Sequence, residues 1–214
     1  MKTRVLGKFL GGKKKTWECV VYEDDDGRVH FVADADIDAD GANGQAGGAI
    51  AYRADDSGSD YLANGGMQIV NGKVVFKESD NGIVIRGSDN QPKVFDGGMI
   101  ASMTWYRHRH LSMQDPAAYV DAETVPYIVV PPLIVQMTVG VVRGCRARVT
   151  YKGKSIDCVV ADKSGRTKIG ELSIAAARKL GIPSSPRHGG VEGPDVSYEL
   201  WPGIAAPGYE LQPS

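Results

Sequence analysis

The stretch 157–182, DCVVADKSGRTKIGELSIAAARKLGI, constrains the fold more than any other part of the chain. Cys158 to Ala161 is a short apolar run that suits a buried strand, and it ends on Asp162. A polar turn follows from Lys163 to Lys168, with Gly165 inside it. Ile169-Gly170-Glu171 then leads into a helix. Ser173 is placed to cap it, because its hydroxyl can accept from an orphan backbone N–H. Leu172, Ile174, Ala177 and Leu180 suit one buried face, while Gly181 and Pro183 end the helix. Two carboxylates, Asp162 and Glu171, therefore stand at a strand end and just before a helix. That geometry can aim both into one cleft.

Two acids flanking a scissile bond are the machinery of most glycoside hydrolases: one protonates the leaving oxygen, the other activates water or attacks carbon. Two surface carboxylates would show the same spacing. Charge elsewhere bears on the choice. The chain has 25 basic and 26 acidic residues, a net charge of −1. Between Glu23 and Asp60, however, 11 acids meet only Arg28 and Arg53, a local −9. Such a lobe suits a polycationic ligand, although a solvated acidic surface carries the same pattern. Within it, Asp36, Asp38 and Asp40 would share one strand face and repel one another unless a cation sits there. DIDADG also opens like a calcium loop, but its twelfth position is Gly47, where a bidentate Glu is required. His108 and His110 lack an evident third ligand. No metal or other cofactor is expected.

The 27 glycines point to many turns and few long helices. Trp17–Tyr22 and 28–37 read as a hairpin around Asp24-Asp25-Asp26-Gly27. Met67–Val70, Asn71-Gly72 and Lys73–Phe76 form a second, and Arg146–Tyr151, Lys152-Gly153 and 154–161 a third, which delivers Asp162. Ile83–Arg86, Thr124–Val130 and Val196–Leu200 read as further strands. Trp105 and Tyr106 could stack on a sugar or fill the core, and Tyr127 could line the cleft or fill the core. Cys19, Cys145 and Cys158 allow one bridge and a free thiol, or three buried thiols. Residues 1–15 hold six cations and no acid; they read as a solvated basic tail, not a nucleic-acid-binding arm. Gly7 and Lys8 interrupt the apolar run there, so no secretory signal is read. No apolar run is long enough to span a membrane. Location in the cell is left open.

The segment VVADKSGRTKIGELSIAAARKLGI, with DIDADGAN near the front and VPYIVVPP between, resembles the chitosanases of glycoside hydrolase family 75. The match lies at Asp162, Gly165, Gly170, Glu171, Ser173 and Leu180-Gly181, and the resemblance covers roughly residues 17–60 and 115–201. Residues 163–165 read Lys-Ser-Gly, where the family tends to have Gly followed by Pro. The same segment is similar to double-psi β-barrel proteins such as rare lipoprotein A. The resemblance implies a mainly β protein: a double-psi barrel with one substantial helix and an inserted β-sheet region over 61–114. It implies a single catalytic domain over 16–214 and inverting endo-hydrolysis of β-1,4-linked glucosamine. Catalysis would fall to Asp162 and Glu171, and substrate binding to Asp36, Asp38 and Tyr127. Glu171 is expected to be the acid, by position in related barrels. Asp162 is expected to be the base, ionised by Lys163, Arg166 and Lys168 in its turn. The implied partner is chitosan or its oligomers, bound by a monomer, with no nucleic acid or membrane. A lytic-transglycosylase-like barrel acting on peptidoglycan and a non-catalytic glycan-binding module are the alternatives.

Overall fold

The computed structural model describes residues 2–11, 16–78, 82–166 and 168–213. The strands run β1 (Thr3–Gly11), β2 (Trp17–Asp24), β3 (Val29–Asp38), β4 (Tyr52–Arg53), β5 (Met67–Val70), β6 (Lys73–Phe76), β7 (Met99–Ile100) and β8 (Tyr127–Val130). Helix α1 (Pro132–Met137) follows, then β9 (Cys145–Tyr151), β10 (Lys154–Lys163), β11 (Glu171–Ser173), α2 (Ile174–Leu180) and β12 (Val191–Ala205). Strands β3, β11, β8, β10, β9 and β12 pair in that order, and β12 pairs back onto β3. The result is a closed six-stranded barrel. β3–β11 and β8–β10 are parallel, and the other four pairings are antiparallel.

The barrel core follows from the strand pattern. β8 is buried on both faces, as its unbroken Tyr-Ile-Val-Val run requires. β9 alternates instead, with Cys145, Ala147 and Val149 inward. Phe31 of β3 stacks on Tyr198 of β12 with ring centroids 4.9 Å apart. The turns behave as their residues require: Asn71 and Gly72 both take positive φ, as do Lys152 and Gly153, and each pair closes a two-residue hairpin. Ser173 caps α2, its hydroxyl accepting from the Ala176 N–H at 3.2 Å, and Gly181 ends the helix at φ 80°.

Several expectations change. Residues 3–11 are not a tail: they form β1, paired antiparallel with β2. The physical reason is that β2 answers their charges. Lys8 meets Glu18 at 2.9 Å, and Arg4 pairs with Glu23. Leu6 and Phe9 turn inward. The cluster Lys13–Lys15 lies outside the described residues. Val84 and Arg86 of the expected strand 83–86 make only isolated bridges. Thr124–Val130 begins as a strand only at Tyr127. Pro132 starts α1, because proline suits a first helical turn. Cys145 and Cys158 lie on adjacent strands, where Cys158 sits opposite Ala147. All three cysteines are free and buried, and burial pushes the thiols of Cys19 and Cys145 up to about 12. Segment 39–126 leaves the barrel between β3 and β8, and holds the two-stranded sheets β4–β7 and β5–β6. Among the described residues, no helix is long and apolar enough to cross a membrane.

Candidate active site

Strand β8 lies between β10 and β11, and one of its residues locates the site. Val129 has Asp162 as its register partner on one side and Glu171 on the other. Two strand spacings of about 4.8 Å put those two backbones roughly 10 Å apart. The β10 register shifts between Val160 and Asp162. A bulge of this kind bends the strand and re-aims the side chain after it. Next to β11, Glu171 and Asp36 are partners across the parallel β3–β11 pair. Two opposed carboxylates repel, and the Lys168 ammonium answers both, 2.7 Å from Glu171 and 3.6 Å from Asp36.

These residues border a trough of about 750 Å³. It is lined by Asp36, Asp38, Asp40, Asp60, Asp162 and Glu171 against Lys163, Lys168 and Arg187. Four of the five expected site residues are thus brought together. Tyr127 is not among them: it is fully buried in the barrel, and its hydroxyl donates to the Asp40 carbonyl at 2.9 Å. Its side chain is fully covered, and the trough wall on that face of β8 is formed by Val129, two residues on. Tyr127 thus holds the Asp40 backbone beneath the acids. Tyr106 is likewise core, whereas half-buried Trp105 borders a neighbouring basin.

Asp162 is buried, and its Oδ1 accepts from the backbone N–H of Trp105 at 2.9 Å and of Lys163 at 2.7 Å. Burial, then the charge of Asp38, pushes its carboxyl well above the usual range. Burial and Glu171 raise Asp38 to about 7. Burial, Asp38 and Asp162 raise Asp40 strongly, and its Oδ1 has no hydrogen-bond partner. Burial also raises Asp60. The cations expected to ionise Asp162 serve elsewhere. Lys168 sits on Glu171, Lys163 lies over the Trp105 ring at 5.5 Å, and Arg166 borders a separate pocket beside β1.

One carboxylate oxygen from each of Asp38, Asp40 and Asp162 lies within 4.8 Å of the others. Three hard oxygen donors could hold calcium or magnesium; equally, three crowded acids can share protons. The calcium-loop reading is not what forms, since the third donor is Asp162 and not a residue near Gly47. Among the described residues no metal-holding group includes His108 or His110.

Sequence reading missed Asp60, Tyr61 and Arg187 at the trough, and it assigned Lys168 to Asp162 where it pairs with Glu171. Tyr61 borders the trough, with the Arg187 guanidinium 4.1 Å over its ring. Only the placement of Lys168 three residues before Glu171 left a local signal; Asp60 and Tyr61 arrive through the long segment between β3 and β8. Gly170 is the hinge of the arrangement. Its φ is +82°, and an added Cβ would lie 2.2 Å from Asp34 Oδ1 and 2.9 Å from the Ala33 Cβ. Gly170→Ala is therefore expected to destabilise by at least about 2 kcal/mol in urea unfolding and to displace Glu171. A loss below about 1 kcal/mol would mean the loop adapts.

No protein-family profile matches the chain, and no curated protein matches it. Among solved structures, a Streptomyces papain inhibitor aligns at 25% identity over 38% of this chain and 74% of its own. The TM-score is 0.28, too low for the two folds to be equated.

Proposed function

We propose that the trough is the active site of an inverting, endo-acting glycoside hydrolase that cleaves β-1,4 linkages between glucosamine units of chitosan. The observation that carries this reading is the placement of Asp162 and Glu171 on either side of Val129, within one acid-lined trough. Inverting enzymes need about 6.5–9.5 Å between carboxyls, room for one water, and a backbone separation of roughly 10 Å accommodates that. The surplus of acids over cations suits a chain of ammonium groups. The resemblance of Asp162, Gly170-Glu171 and Ser173 to the family 75 chitosanases supports the same assignment, as does the pairing of parallel and antiparallel strands with a double-psi barrel.

The charges favour roles opposite to those expected from the sequence. Asp162, buried beside Asp38 with its carboxyl pushed well above the usual range, serves as the acid. Glu171, ion-paired with Lys168, is the ionised partner and activates water. Asp36 and Asp38 receive substrate ammonium groups. Soluble chitosan and peptidoglycan are each offered to the protein, and reducing ends are counted. Release from chitosan, falling as salt rises and screens the acids, is expected. Release from peptidoglycan alone, or from neither, would refute the reading.

Divalent metal provides a separate check. A cation held by Asp38, Asp40 and Asp162 would displace the proton that Asp162 must deliver. Chelator is expected to leave chitosan hydrolysis unchanged, and millimolar calcium to slow it. Loss in chelator with recovery in calcium would make the trio a working metal centre.

A further inference from the structure

Beyond Asp162 the trough does not simply end. A second basin of about 440 Å³ adjoins it, and Ile83, Asp162 and Lys163 line both. The charge reverses across that boundary. The second basin is lined by Arg107, Arg109, Arg143 and Lys163, and its one acid is Asp162. Among the described residues none of these four cations makes an ion pair. Arg143 spends its three hydrogen bonds on the carbonyls of Trp105, Gln212 and Pro213, which orient the guanidinium and leave its charge uncancelled. Its carbon lies 4.9 Å from the Trp105 ring centre, so the ring is a firmly backed platform at the basin wall. Burial and then the charges of Arg109 and Arg107 lower the Arg143 pKa, so the arginines are close enough to repel. Such crowding without a counter-ion fits a site built for an anion. Guanidinium forks suit carboxylates in particular, through paired N–H···O bonds.

We propose that this basin binds the carboxylate of a sugar residue, so that the preferred substrate is a mixed-charge glycan, with glucosamine in the acidic trough and a carboxylate-bearing sugar in the basic basin, the scissile bond lying at Asp162. That the ligand is a glycan rests on the hydrolase reading above; that the basin takes an anion does not. A chain of glucosamine alone would carry ammonium groups into four cations and fill only one side.

Calorimetry on the Glu171→Gln protein tests this with two tetrasaccharides, one of glucosamine only and one alternating glucosamine with glucuronate. The alternating tetramer is expected to bind at least about 10-fold tighter. Arg109 is exposed and makes no side-chain hydrogen bond among the described residues, so Arg109→Glu leaves the fold intact. It should cut the preference for the alternating tetramer several-fold while tightening binding of the glucosamine tetramer, a reversal that misfolding would not produce. Equal binding of the two tetramers, or equal weakening of both by Arg109→Glu, would overturn the proposal. Reducing-end release by the unaltered protein separates the two readings. Tight binding of the alternating tetramer with no cleavage of either keeps the anion site and removes the hydrolase. Cleavage of the glucosamine tetramer with no preference for the alternating one does the reverse.

Discussion

Asp162→Asn and Glu171→Gln are each expected to slow hydrolysis of glucosamine oligomers by about 10²–10⁴-fold, the range general acid–base groups contribute, with oligomer binding retained. The two variants should then part company. A glucosaminide with a strongly activated phenol leaving group needs no proton to depart. It should restore turnover to Asp162→Asn and leave Glu171→Gln inactive. This follows from where the cations lie. Lys168 holds Glu171 at 2.7 Å, whereas Asp162 is buried with two backbone N–H donors on a single oxygen. Rescue of Glu171→Gln would reverse the roles. Product stereochemistry is an independent readout: early NMR spectra should show the α anomer, and a β product would exclude inversion, whichever carboxylate is the acid.

The second large effect is on stability. Folding places Asp38, Asp40 and Asp162 within reach of one another in a site that disfavours charge. Their folded pKa values are raised, so the folded protein holds protons that the unfolded chain has released. That contribution is complete below the unfolded pKa near 4 and is lost as pH rises through the folded one, about 7 for Asp38. Asp24 acts in the opposite sense. Arg28 and then Thr3 hold it at about 2, so its contribution fades only as pH falls below about 4. Together these place the highest melting temperature at about pH 4, with a decline toward about pH 8. Asp40→Asn removes one of the crowded charges without changing shape. At pH 8 it should raise the melting temperature by about 4–8 °C, roughly 2 kcal/mol for a chain of this size. Near about pH 4.5 the gain should vanish, because Asp40 is already protonated. The same change should ease ionisation of Asp162 and move the alkaline limb of the activity profile to lower pH. A gain of equal size at both pH values would show that charge is not its source.

How far the sequence could be read depended on how local each signal was. The hairpins at Asn71-Gly72 and Lys152-Gly153 and the capped helix from Ser173 to Gly181 were legible, because their causes lie within a few residues. The convergence of Asp162 and Glu171 was legible from the strand, turn and helix that carry them. Tyr127 was not: in a strand buried on both faces, alternation carries no information about direction. The placement of the cations around Asp162 was misread because sequence proximity stood in for distance. Lys168, six residues away, reaches Glu171 instead. β1 was hidden because its partners, Glu18 and Glu23, lie on the next strand, and a run of cations reads as solvated until its counter-charges are located. The basic basin draws on Arg107, Arg109, Arg143 and Lys163, which no single stretch of sequence unites.

Ring closure through β3 and β12 has a consequence for self-association. The barrel leaves no strand of its own unpaired, so the eight-stranded sheet has one open edge among the described residues, β1. An open edge is a template onto which another chain can add a strand, and Val5 and Leu10 are exposed along it. Three devices blunt that template. The register breaks between Val5 and Gly7, Arg4 and Lys8 place charge along the strand, and α1 packs close enough that Leu133 fills the space a side chain at Gly7 would need. Arg4 and Lys8 thus work as guards against strand-by-strand aggregation, and the nine-residue strand that carries them, remote from the trough, bears on how concentrated a solution of this protein can become.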